Sequence, residues 1–243
     1  MSEVEKPVPT PVAQTEPKKK LRLKTVAAKP IKKYIWLAGH VVTVPLSLIY
    51  FAYYIQFKSH YLFPRLCYRF ALFGVWAAYS MTIATQFSQR AMPSYFALLS
   101  TQNFQYLSLS FIWQFNRNSL FKLLPYFLIS VLQLSLHFNI KPVLKLDKVF
   151  KVVIVYNELF LFVLLIFDTI LLRGTSGYAL VMFGLFYWLR LLHNESTRKL
   201  LYNVLVKLDG PLSKSKNDRI RSQWQKIKVI LNSDQKTLQS EYS

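Results

Sequence analysis

From Tyr34 to Leu192 the chain alternates long apolar blocks with short, mostly basic loops. Six apolar stretches stand out: Tyr34 to Phe57, Leu66 to Phe87, Tyr95 to Phe115, Leu120 to Phe138, Val149 to Leu172 and Gly177 to Leu192. A helix needs about 20 apolar residues to cross a bilayer core. In lipid the backbone must satisfy its own polar groups, and segments of this length do so as helices. The expected fold is all-α: a polytopic helical membrane protein with about six apolar segments and four to six crossings.

The six stretches are unequal. The first, fourth and fifth are strongly apolar, whereas the third contains Ser100, Thr101, Gln102, Asn103 and Gln105 and the second carries Arg69 near its start. The sixth has 16 residues, or roughly 24 Å of helix against a core of about 30 Å. Shallow or re-entrant placement is an option for it. Loop charge bears on the count. With a cytosolic N-terminus, six crossings put Lys141, Lys145, Lys148 and the C-terminal tail on the cytosolic side, whereas loss of the third alone moves them to the lumen. Basic residues beside membrane segments favour the cytosol, so an even number of crossings, six or four, is expected.

Beyond the last stretch the pattern becomes amphipathic. Leu201, Val204, Leu205 and Leu208 recur at helical spacing, and after Gly210-Pro211 so do Ile220, Trp224, Ile227 and Leu231. The second set shares one narrow face, flanked by Arg219, Arg221, Lys226 and Lys228. This is the pattern of an interfacial helix, with Asn217 or Asp218 available as its cap and Trp224 at the headgroup boundary. The eight named residues of the second helix are the candidate membrane-binding set, and anionic lipid is the expected partner. The alternative is that both helices dock on cytosolic faces of the bundle.

Composition agrees with a membrane chain. Of the 243 residues, 53% are hydrophobic, and no Asp or Glu lies between Glu16 and Asp147. Most of the +20 net charge sits in the two tails, with nine Lys or Arg in residues 1–33 and eleven in 190–243. Three regions are expected: a disordered basic cytosolic arm over 1–33, a helical membrane domain over 34–192, and a basic cytosolic tail with amphipathic helices over 193–243. The arm combines Pro7, Pro9, Pro11 and Pro17 with the Lys18-to-Lys24 cluster, a composition that cannot bury a core. That cluster suits an import-like or lipid-binding patch as well as a topology signal. The arm lacks the short apolar core of a secretory signal, so the first membrane helix acts as its own insertion signal. Asn194-Glu195-Ser196 is a glycosylation sequon that a cytosolic tail leaves unused.

Candidate chemistry is sparse. Glu158 and Asp168 share the fifth stretch, ten residues apart, which on a helix means about 15 Å and a rotation of roughly 280°. They do not form a carboxylate pair. Glu158 reads as a protonated or Arg-paired structural residue, with Arg69 or Arg190 as its partner. His40, His60, His137 and His193 lack metal-ligand or acyl-transfer spacing, and no phosphate loop or nucleophile elbow is present. Cys67 stands alone and reads as a packing residue. No catalytic residue, cofactor, metal or direct nucleic-acid contact is expected. A transporter or lipid-modifying enzyme using Glu158 with Arg69 or Arg190 remains the alternative from another class.

Val155-Tyr156-Asn157-Glu158-Leu159-Phe160-Leu161, then Phe186-Tyr187-Trp188-Leu189-Arg190, then Ser196-Thr197-Arg198-Lys199-Leu200-Leu201-Tyr202, resembles the transmembrane protein thirty-three family and its fungal pore-membrane relatives. The likeness reaches back more loosely to Ser94. Its structural motif residues here are Asn157, Glu158, Phe160, Tyr187, Arg190 and Arg198. The resemblance implies residence in the endoplasmic reticulum and nuclear envelope, a contribution to nuclear pore complex biogenesis or distribution, and action beside reticulon-like proteins. It also implies a basic C-terminal region that meets membranes and an import karyopherin, with nucleoporins as further partners. The Pro/Lys-rich arm and the short C-terminus depart from the family pattern. An interaction scaffold binding a karyopherin or reticulon-like proteins is the second reading.

Overall fold

The computed structural model describes residues 30–87, 95–172 and 176–213, with Ser222 and Gln225 as isolated positions. Of the arm expected over 1–33, residues 30–33 belong to the first helix, whereas residues 1–29 lie outside the described residues. So do Arg219, Ile220, Arg221, Trp224, Ile227, Lys226, Lys228 and Leu231. Among the described residues the structure is helical: α1 (Pro30–Ile55), α2 (Leu62–Gln86), α3 (Tyr95–Ser100), α4 (Gln102–Phe115), α5 (Leu120–His137), α6 (Lys141–Leu144), α7 (Asp147–Ile170), α8 (Ser176–His193) and α9 (Glu195–Ser213). Helices α1, α2, α5 and α7 are long and apolar enough to cross a membrane, and α8 is a shorter apolar helix.

The third apolar stretch is two helices. Thr101 takes an extended backbone, and its hydroxyl turns back to the Leu98 carbonyl at 2.8 Å. The Gln105 amide donates to the Leu99 carbonyl at 2.8 Å across the break. Side chains that bond nearby backbone compete with a continuous helix, which explains the interruption. At 14 residues α4 is then only about 21 Å long.

The remaining differences lie at helix ends. α2 begins four residues before the apolar run, at Leu62, and a short α6 occupies the loop before α7. α9 continues past Gly210-Pro211, where the sequence suggested a break. Proline crowds the Cβ of the residue before it, and glycine has none, so the helix passes through with one hydrogen bond lost. Asn194 starts α9, its Oδ1 accepting from the Thr197 backbone N–H at 3.1 Å. Glu195 bonds Lys199 at 2.6 Å one turn on, and this hydrogen bond holds its carboxyl below the usual range.

Six helices close into a ring in the order α1, α2, α4, α8, α7, α5 and back to α1. Their outer faces carry Leu48, Phe73, Val163, Phe167 and Val181 exposed, as lipid-facing helices do. The interior is aromatic, with Tyr50, Tyr68, Tyr106, Trp113, Tyr126 and Phe183 fully buried. Cys67 is buried as a free thiol in this packing. The α1–α2 contact is the closest in the ring. Gly39, Thr43 and Ser47 form one face of α1 against Ala71, Gly74 and Ala78 of α2, and a Cβ added at Gly39 would lie 2.6 Å from the Gly74 carbonyl oxygen. Small residues let membrane helices approach backbone to backbone. The Thr43 hydroxyl uses that approach, lying 2.8 Å from the Gly39 carbonyl and 3.2 Å from the Ala71 carbonyl.

Candidate functional site

The ring encloses a polar junction built from α4, α7 and α8. Helical periodicity turns Glu158 inward on α7 while Phe160, two residues later, points outward and meets the Phe121 ring edge-on at 4.9 Å. On α8, Arg190 lies one turn beyond Phe186 and shares the inward face with it and Phe183. The Arg190 Nη2 sits 3.2 Å from Glu158 Oε1, and its Nε donates to Oε2 at 3.4 Å. Both side chains are almost wholly buried, at 2% exposure for Glu158 and 3% for Arg190. Burying either charge alone is prohibitive, so each is the condition for the other's presence.

Tyr106 completes the junction. Its hydroxyl donates to Glu158 Oε1, its ring lies under the Arg190 guanidinium at 5.3 Å, and its backbone carbonyl accepts from Tyr126 at 3.0 Å. Tyr79 packs edge-on against both tyrosine rings. Two elements, α4 and α8, thus meet the one carboxylate from α7, and α2 and α5 hold Tyr106 in place behind it.

Asn157 has a separate task. Pro125 inside α5 has no N–H to give the carbonyl four residues earlier, that of Phe121. The Asn157 side-chain amide donates to that carbonyl at 2.8 Å, repairing in trans the bond that proline removes. The adjacent pair Asn157-Glu158 therefore ties α7 to α5 on one side and to α8 and α4 on the other. Tyr187 stacks on Phe162 of α7 at 5.5 Å, and Arg198 is exposed on α9. The face of α9 that packs against α7 and α8 includes Thr197 and Leu200, both buried.

Of the two arginines the sequence offers Glu158, the structure selects Arg190. Arg69 instead closes the C-terminal end of α4, donating to the Trp113 carbonyl at 3.3 Å and the Asn116 carbonyl at 3.1 Å. Helix α4 ends at Phe115, and Arg69 meets the Asn116 carbonyl and shares that of Trp113 with the Asn116 backbone N–H. Sequence reasoning missed Tyr106, Tyr126 and Lys122 as members of polar contacts. The signal for Lys122 was present: a lysine two residues into a strongly apolar stretch demands a partner.

Chemically, the carboxylate of Glu158 is engaged by a guanidinium and a phenol, and arginine does not release its proton in proteins. Such a junction fixes helices in place. A helical ring with lipid-facing aliphatic sides and an internally compensated ion pair defines a polytopic integral membrane protein. The chain belongs to the transmembrane protein thirty-three family. It is 30% identical to "Uncharacterized membrane protein YGR026W" of Saccharomyces cerevisiae over 90% of this chain and 91% of that protein. It is also 25% identical to the "Pore membrane protein of 33 kDa" of the same yeast, over 74% of this chain and 75% of that one. No family model and no solved structure matches.

Proposed function

We propose that this protein is a non-enzymatic component of the endoplasmic reticulum and nuclear envelope that stabilises curved membrane and contributes to nuclear pore complex biogenesis or distribution. The observation that carries the reading is the similarity to the yeast pore membrane protein across about three quarters of both chains. The closed Glu158–Arg190–Tyr106 junction supports a structural role for the bundle. The mechanism is wedging. The short α4 and α8 occupy less bilayer than α1 or α7, and the tail helix places Ile220, Trp224, Ile227 and Leu231 in the cytosolic leaflet with Arg219, Arg221, Lys226 and Lys228 on anionic headgroups. Both tails and the loop with Lys141, Lys145 and Lys148 face the cytosol in this arrangement.

The test is imaging of the N-terminally tagged protein, expressed from its own promoter, beside a pore marker. Punctate rim signal that follows pores when they are made to cluster supports the proposal. Even labelling of rim and cortical reticulum removes pores from it.

A further inference from the structure

At the end of the ring remote from the start of α1, four helix termini meet: the last turns of α1, the first of α2, the end of α4 and the start of α5. This corner is rich in cations. Lys122 is buried, its ammonium donating to Asn116 Oδ1 at 2.6 Å and to the Arg117 carbonyl at 2.9 Å while sitting 4.7 Å above the Trp113 ring. Arg69 and Arg117 both lie within electrostatic reach of Lys122, and Arg117 also reaches Tyr50. Asp168 brings one negative charge to Lys122. Among the described residues, three positive groups against one negative leave the corner with a positive field.

A second observation is independent of charge. The hydroxyls of Tyr50 and Tyr68 and the indole N–H of Trp113 are buried in fully enclosed side chains and have no hydrogen-bond partner among the described residues. The rings of Tyr50 and Tyr68 meet edge-on at 5.0 Å, and the Arg69 guanidinium stands 5.9 Å over the Tyr68 ring. The side-chain Nδ2 of Asn118, in the α4–α5 loop, is a further orphaned donor, and Gln114 Oε1 is an orphaned acceptor. Buried polar groups ordinarily find partners, and an excess of orphaned donors calls for an acceptor from outside the chain. Orphaned donors in excess of orphaned acceptors, beside a surplus of positive charge, are the complement of a phosphate oxygen.

We infer that the corner formed by Tyr50, Tyr68, Arg69, Trp113, Arg117 and Lys122 binds a phosphate-bearing anion. At the end of a transmembrane ring the chemistry suits the phosphate of a lipid headgroup, and it suits free phosphate equally. Arg117 is exposed and supplies the entry side, whereas Lys122 and the two phenols lie behind it.

The test uses the full chain purified in detergent and carrying Trp224→Glu, which interrupts the apolar face proposed to bind lipid in the tail. Thermal unfolding is followed with added phosphatidylcholine, phosphatidic acid or sodium phosphate. Phosphatidic acid should raise the transition above phosphatidylcholine, and Arg117→Gln or the double change Tyr50→Phe/Tyr68→Phe should weaken its apparent affinity by about tenfold, the scale of one lost charge-assisted bond. The phenylalanines keep the rings and Arg117 is exposed, so both variants fold. An equal rise with sodium phosphate keeps the anion site and assigns it to a soluble ligand. Affinity for both unchanged in both variants overturns the inference. Pore localisation plays no part in this readout, so its outcome is separate from that of the proposed function.

Discussion

The α1–α2 crossing and the α4–α7–α8 junction hold the same ring together by opposite means. At the first, Gly39 and Gly74 let two backbones touch, and a single added methyl has nowhere to go. At the second, helices stand apart far enough for a glutamate, an arginine and a tyrosine to fill the gap with directed bonds. Packing of the first kind depends on the absence of atoms, so it tolerates no enlargement. Packing of the second kind depends on matched partners and fails by subtraction.

The largest expected effect comes from that subtraction. Arg190→Leu leaves Glu158 as an uncompensated buried charge and should cost about 3–5 kcal/mol, seen as loss of folded, monodisperse protein in detergent. Removing both partners, as Glu158→Leu with Arg190→Met, should recover most of the loss. If the double change is as damaging as the single, the pair is more than mutual compensation. At the crossing, Gly74→Leu should cost about 1–3 kcal/mol through overpacking and abolish disulfide crosslinking between cysteines placed on facing positions of α1 and α2. Crosslinking that persists would show that the crossing accommodates the added side chain without separating.

Smaller effects sharpen the contrast. Thr43→Val removes a hydroxyl bonded across the crossing and should cost about 0.6 kcal/mol, the usual scale for such bonds in membrane helices, measured as a shift in steric-trap or thermal unfolding. Asn157→Leu exposes the Phe121 carbonyl that Pro125 leaves open, at a cost of about 1–3 kcal/mol. Combining it with Pro125→Ala, which restores an intrahelical donor, should return most of that stability. Tyr79→Phe deletes a buried hydroxyl without a partner among the described residues and should change stability by less than about 0.5 kcal/mol.

These two regions were unequally legible in the sequence. Apolar run length was enough to place the membrane helices, because a bilayer imposes one length on any helix that crosses it. Glu158 was conspicuous because a charge in an apolar run must be compensated, and its environment followed from that rule. Its partner did not follow. Arg69 and Arg190 are equivalent by composition, and only the ring order, which puts α8 beside α7 and α2 beside α4, separates them. The break at Thr101 was foreshadowed by a run of polar residues whose side chains compete for backbone bonds. The repair of Pro125 by Asn157 could not be read in advance, since it joins residues 36 positions apart on different helices.

The Glu158–Arg190 pair also sets an order of events during synthesis. Tyr106 and Glu158 leave the ribosome before Arg190, which follows Glu158 by 32 residues. At about 5–20 residues per second, α7 must wait roughly 2–6 s for the charge that makes it comfortable in lipid. Helix α8, with its own arginine, meets the mirror-image difficulty when it arrives. Entry of α7 and α8 into the bilayer as a pair would bring each charge its partner, and this is the order that the ion pair favours. Chains that lose either charge should be recognised at that stage and degraded, so that their defect appears as missing protein rather than as altered protein.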